Sequence, residues 1–198
     1  MESPRAYHHG DLRAALIAAA LTAVEQGGPE AVSLRELAEQ LRVSRAAPYR
    51  HFADRRALLA EVAARGFEDL VEAYDRAQAS APDPMAALRE TARAYLALAF
   101  RRPGLFRLMF DSDLLGADAP PNLLRPAGEA WEGLKRAVAA VDPQAAPRDI
   151  ARRTITGWST LHGFIALVQG GRLKGFMTEP LTESELVEAI LDKTLRGD

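Results

Sequence analysis

Apolar residues recur at helical spacing through most of the chain. Leu12, Leu16, Ala20, Leu21 and Val24 form one stripe over residues 11–26, the three-to-four spacing that gives an α-helix a single apolar face. Asp11 caps that helix and Gly27-Gly28-Pro29 stops it. Ser33 opens SLRELAEQL, and Glu36 three residues on completes a capping box. Leu34, Leu37, Ala38 and Leu41 face the core of this short helix. Leu41-Arg42-Val43 is a tight connection to Ser44, a second cap, and the next helix is very short and ends near His51-Phe52. Asp54 caps a long helix over 55–79, whose stripe is Leu58, Leu59, Val62, Phe67, Leu70, Val71 and Tyr74. Ala81-Pro82-Asp83-Pro84 reads as a linker whose last two residues start a helix to Phe100. Pro103-Gly104 precedes a short LFRLMF helix, and residues 111–121 form the longest loop. Helices follow at 122–140, 147–169 and 183–195; Gly170-Gly171 ends the second, and Thr182 with Glu185 caps the third. No stretch alternates with the period of two that a half-buried strand needs. The predicted fold is all-α.

The short helices of the first sixty residues differ from the rest. A bundle helix carries a wide apolar stripe, yet the segment after Ser44 is small and polar: Arg45, Ala46, Ala47, Tyr49 and Arg50, with Val43 and Phe52 as anchors. One short helix bracing a second, polar one is the outline of a helix-turn-helix. Pro48 disturbs it. Proline cannot donate the first intrahelical bond and disfavours helical backbone at Ala47, so a distorted or late-starting second helix is expected. The organisation that follows is an N-terminal helix-turn-helix domain over 1–54, a connecting helix over 55–80, and a C-terminal domain over 81–198.

Net charge over the 198 residues is -2, which alone favours no nucleic-acid partner. Its distribution does. Residues 42–56 hold Arg42, Arg45, Arg50, Arg55 and Arg56 against Asp54 alone, with His51 beside them; screening lets such a patch act independently of distant charge. The absence of cysteine removes disulfides, iron–sulfur clusters, zinc fingers and thiol nucleophiles. No apolar run reaches the ~18–20 residues of a membrane span. The N-terminus is polar and reads as no signal peptide, so a cytoplasmic location is expected. Arg5, His8, His9 and Arg13 form a basic arm; adjacent His8 and His9 lack ligand-spaced partners, so no metal is expected.

The run SLRELAEQLRVSRAAPYRHFADRRALLAEV, residues 33–63, resembles the TetR family of bacterial one-component regulators. Val43-Ser44, Tyr49-Arg50-His51-Phe52, Arg55 and Leu58-Leu59 carry the likeness. Trp158-x-x-x-His162-Gly163 resembles the signature of the family's Trp-His-Gly subset. The resemblance implies a ligand-responsive transcriptional regulator, usually a repressor released from DNA by its effector. It implies phosphate contacts from Ser44, Tyr49 and His51, with Arg55 in the usual lysine place. Arg45, Ala46 and Ala47 correspond to the groove-facing stretch, and Arg50 is a further contact. Physics agrees: arginine reads guanine with two bonds, and alanine meets thymine methyls.

A sensing domain needs an apolar cavity with a few polar groups. Tyr95, Phe100, Phe106, Met109, Phe110, Trp131, Trp158, His162 and Phe164 are candidates for its lining, for a small, apolar effector. Two roles fit His162, a hydrogen bond to ligand or one to a core carbonyl; Gly163 permits close helix approach. Residues 147–169 are apolar on two sides and 183–195 offer a matching face, so a homodimer through residues 147–195 is expected, suited to a palindromic operator on double-stranded DNA. No nucleophile elbow, P-loop or dinucleotide fingerprint is present, so neither an enzyme nor a cofactor is expected. The alternative is a helical protein–protein adaptor without DNA binding.

Overall fold

The computed structural model describes residues 12–196. Asp11 and the arm residues Arg5, His8 and His9 lie outside them. The described residues are helical: α1 (Leu12–Gly27), α2 (Leu34–Gln40), α3 (Arg55–Ser80), α4 (Pro84–Arg101), α5 (Pro103–Phe110), α6 (Pro121–Val141), α7 (Pro147–Gln169), α8 (Gly175–Thr178) and α9 (Glu183–Arg196). Tight 3-10 turns occupy Pro29–Ala31, Pro48–Arg50 and Asp113–Leu115. Four of the caps expected from the sequence close as hydrogen bonds; Ser44 does not cap, because the chain turns on through Ala47 to Pro48 and the 3-10 turn that begins there has no side-chain cap. Ser33 Oγ accepts from Glu36 N at 3.4 Å, Asp54 Oδ1 from Ala57 N at 2.8 Å and Asp83 Oδ1 from Ala86 N at 2.8 Å. Thr182 and Glu185 bond reciprocally, with Glu185 Oε2 accepting from Thr182 N at 2.8 Å and Thr182 Oγ1 from Glu185 N at 3.3 Å.

Packing groups the chain into two compact units that cut across its linear order. One holds 12–67 and 104–126, the other 68–103 and 127–196. The chain crosses between them inside α3, at the start of α5 and at Pro126 within α6, where proline lacks the N–H of the helical ladder.

In the first unit α1 packs on α2, and Leu16, Ala20, Val24, Leu58, Val62 and Phe67 are buried. The short α5 is drawn in hard. Glu25 accepts from the amides of Gly104 (3.2 Å) and Leu105 (3.3 Å), placing a carboxylate at the positive end of α5. A side chain at Gly104 would be driven into the Val24 carbonyl and lie 2.8 Å from Glu25 Cα. Phe67 and Phe110 meet edge to face at 5.2 Å, and Phe106 tilts against Phe110 at 4.8 Å. The stretch expected to be loop, 111–121, contains a 3-10 turn that buries Leu114.

In the second unit α7 packs on α4 and α9. Phe100 and Phe164 meet at 6.2 Å and nearly perpendicular, and Gln169 Nε2 donates to Ala99 O at 3.0 Å. Arg89 and Arg93 on α4 clasp Glu188 and Asp192 on α9, with Arg89 Nη1–Glu188 at 3.1 Å and Arg93 Nη2–Glu188 at 2.8 Å. Four partly exposed groups that share partners hold a helix better than isolated surface pairs do.

Candidate nucleic-acid interface and ligand cavity

The turn between the two short helices is a Schellman stop built on an arginine. Arg42 takes φ 56°, the left-handed region. Its N–H reaches Glu39 O at 3.1 Å and the next amide, Val43, reaches Ala38 O at 2.9 Å, the bond pair of that motif. Beyond it the chain makes turns rather than an α-helix. Ala47 N donates to Ser44 O (2.9 Å), Arg50 N to Ala47 O (3.2 Å), and His51 N and Phe52 N both to Pro48 O (3.0 Å). Pro48 is buried at the start of the 3-10 turn, where its missing N–H loses nothing. Proline therefore shortens and tightens the second helix, as expected.

This compact element turns a polar face outward. Ser44, Arg45, Ala46 and Arg50 are exposed, as is Tyr49, at 56%, while Ala47 and His51 are half-buried. Phe52 is buried and anchors the element. Among the described residues Arg42, Arg45 and Arg50 have no carboxylate partner. The other two arginines of the cluster are engaged. Arg55 Nε donates to Val32 O at 2.9 Å and its Nη2 to Pro29 O, and Arg56 pairs with Asp113 at 3.2 Å. Arg13 is engaged too, 2.9 Å from Glu61 and stacked over the Phe52 ring at 5.4 Å.

Two hollows among the described residues exceed about 500 Å³, large enough for a small molecule. One, of about 640 Å³ in the first unit, is an open polar cleft lined by Arg55, Arg56, Arg107, Glu30 and Asp113 among others. The second, of about 530 Å³ in the second unit, has an apolar wall of Met85, Leu88, Ala92, Leu134, Val138 and Leu161. It fits a ligand pocket better: mostly apolar, with a few placed polar groups.

Tyr95 and Trp158 line this cavity. Trp158 Nε1 donates to Tyr95 Oη at 3.0 Å, and Tyr95 Oη lies 2.9 Å from His162 Nδ1. Trp158 and His162, four residues apart on α7, thus meet one phenol on α4. At Nδ1 the partner of His162 is a side-chain hydroxyl. Trp131 meets Trp158 edge to face at 6.1 Å and borders a shallower apolar depression. Phe106, Met109 and Phe110 correct the expected lining: they belong to the first unit, and Phe106 and Met109 are sealed in its core. Aromatic content marks them for burial, and only the packing decides where. Tyr74, read from the sequence as one more stripe residue, lines the cavity; spacing carries no sign of that. Gly163 has no atom of its own chain within 4 Å of a Cβ placed there, so it serves no close helix approach among the described residues.

A family model for bacterial regulatory proteins of the tetR family matches residues 16–62, and one for the tetracyclin repressor-like C-terminal domain matches residues 88–194. No curated protein matches the sequence. A protein with unknown function from Rhodococcus sp. RHA1 has a similar structure, at 32% identity, TM-score 0.82 and 98% coverage of each chain. The TetR family transcriptional regulator PfmR from Thermus thermophilus is 25% identical, with TM-score 0.63 over 91% of this chain and 96% of that one. FadR from Bacillus subtilis, solved with stearoyl-CoA, shares the fold at 12% identity and TM-score 0.70, over 93% of this chain and 98% of that one. With a helix-turn-helix at one end of the sequence and a Trp-His-Gly helix beside a cavity in the C-terminal part, the chain belongs to the TetR family of ligand-responsive, DNA-binding regulators, which are not enzymes.

Proposed function

We propose that the protein is a repressor that grips a two-fold operator as a dimer and leaves it when a small molecule fills the cavity of the second unit. The observation that carries this reading is the arginine set Arg42, Arg45 and Arg50, without carboxylate partners among the described residues, on the exposed face of a helix-turn-helix. Unneutralised cations beside Ser44, Tyr49 and His51 suit phosphate contacts, whose counterion release gives affinity. Ala46 and Ala47 are small enough to let the turn approach base edges. Arg55 serves this reading differently from its neighbours. Two of its donors hold the Pro29–Val32 segment, so its first role is to fix the start of α3.

The outer face of α7 supports the dimer. Ile155 and Leu167 are 44% and 41% exposed there, and Gly163 lies open on the same helix. A two-fold pair would set two reading heads on half-sites one helical turn apart, ~34–36 Å. A ligand that favours another spacing by ~1–3 kcal/mol would release DNA 5–150-fold.

Salt titration on a duplex selected by the protein from a random library tests the DNA reading. Arg50→Ala should weaken binding to all duplexes and flatten the log–log salt slope by about one. Arg55→Ala should instead lower folding stability by about 1 kcal/mol. An unchanged slope for Arg50→Ala removes it from the phosphate set, and failure to select any duplex defeats the proposal.

A further inference from the structure

Resting on the reading of the second-unit cavity as the effector site, we infer that it is built for an uncharged ligand: an apolar body with one oxygen acceptor, as in a ketone or ester, bonded by the Tyr74 hydroxyl.

Tyr74 is 3% exposed and lines the cavity. Its hydroxyl makes no hydrogen bond to any described residue. No side-chain nitrogen or oxygen fully sealed from solvent lacks a partner among those residues, so this hydroxyl is not fully sealed, and the hollow that Tyr74 borders is the cavity. Burial pushes the phenol above its ordinary pKa, so it stays neutral and keeps its proton to donate. A nearly buried donor with no protein partner is poorly solvated, and a ligand acceptor would satisfy it.

The other polar groups on the wall already have partners. Tyr95 is bonded to Trp158 and His162. Thr154, Thr156 and Thr194 turn their hydroxyls back to carbonyls of their own helices, at 2.7, 2.9 and 2.7 Å. The charges are paired as well: Arg153 with Asp142 at 3.1 Å and Arg152 with Asp149 at 3.3 Å. An anionic ligand would face Asp142 on the same wall and compete with carboxylates for guanidiniums already paired. A cation would meet a carboxylate already neutralised. Either would shed its hydration for little return. A neutral acceptor uses the buried tyrosine donor and leaves the pairs intact.

Calorimetric titration of the full chain with acetylnaphthalene, naphthoate and ethylnaphthalene tests this, because the three probes differ chiefly in the polar group. Acetylnaphthalene should bind at least about tenfold more tightly than naphthoate. Tyr74→Phe keeps the ring and should cost the ketone about five- to tenfold while leaving ethylnaphthalene unchanged. The variant should unfold at or above the wild-type temperature, since no protein hydrogen bond is lost. Tightest binding by naphthoate, no binding of the ketone, or an unchanged ketone affinity in Tyr74→Phe overturns the ligand class. Leu134→Trp, which fills the cavity, separates the two readings. If it abolishes probe binding that Tyr74→Phe leaves untouched, only the ligand class falls. If probes bind Leu134→Trp as they bind wild type, the effector-cavity reading falls.

Discussion

Arg42 holds a left-handed backbone that a β-carbon disfavours by roughly 1–2 kcal/mol, and the turn of the helix-turn-helix depends on it. Glycine would adopt the same φ without strain, at some entropic cost in the unfolded chain. Arg42→Gly should therefore raise stability by about 0.5–1 kcal/mol, read from the denaturant midpoint. Destabilisation would mean that the Arg42 side chain holds the turn through contacts of its own. Individual residues were legible unevenly. Phe52 as an anchor and Pro48 as a source of distortion followed from hydrophobicity and from the missing amide. The five arginines of 42–56 looked alike because sequence counts charges and not their partners. Carbonyls more than twenty residues away claim Arg55, and Asp113 claims Arg56. Tyr74 was opaque for the same reason: a helical stripe shows which way a side chain points and says nothing of what its hydroxyl meets.

Helix ends were the most readable elements, because capping is local chemistry. Ser33, Asp54, Asp83 and Thr182 each cap within three residues. The short α8 and the turn at Asp113–Leu115 leave no mark in the sequence, being too brief to set up a period. The junction of α5 with α1 could not be read at all, since it is a close approach between segments about eighty residues apart. Glu25 caps α5 from outside, and Gly104 leaves the space that lets it do so. Gly104→Ala would overlap main chain, which cannot swing aside as a flexible side chain can. It should destabilise the protein by at least about 1–3 kcal/mol, measured by chemical unfolding. A neutral result would mean that α5 slides along α1 without loss.

At the scale of the whole molecule the all-α fold and the helix-turn-helix were visible in the sequence, and the grouping of helices was not. Residues 104–126 return to the unit of the N-terminal helices, carrying Phe106, Met109 and Phe110 with them; a linear division into domains has no means of expressing a chain that doubles back. Dimerisation belongs to this scale too. Space around Gly163 is open, and glycine inside a helix is mildly unfavourable, so Gly163→Glu should leave the protomer folded. Under the proposed α7 contact it should shift sedimentation from dimer to monomer at micromolar concentration; a dimer that survives would place the interface elsewhere. The pair Trp131 and Trp158 has a spectroscopic consequence. These are the two tryptophans of the chain, in edge-to-face contact, with Trp158 on the cavity wall. Indole emission from the unlabelled protein therefore originates beside the proposed effector cavity alone. A change in its wavelength or yield would report occupancy directly, and comparing it with the anisotropy of a dye-labelled duplex would time ligand arrival against DNA departure in a single cuvette.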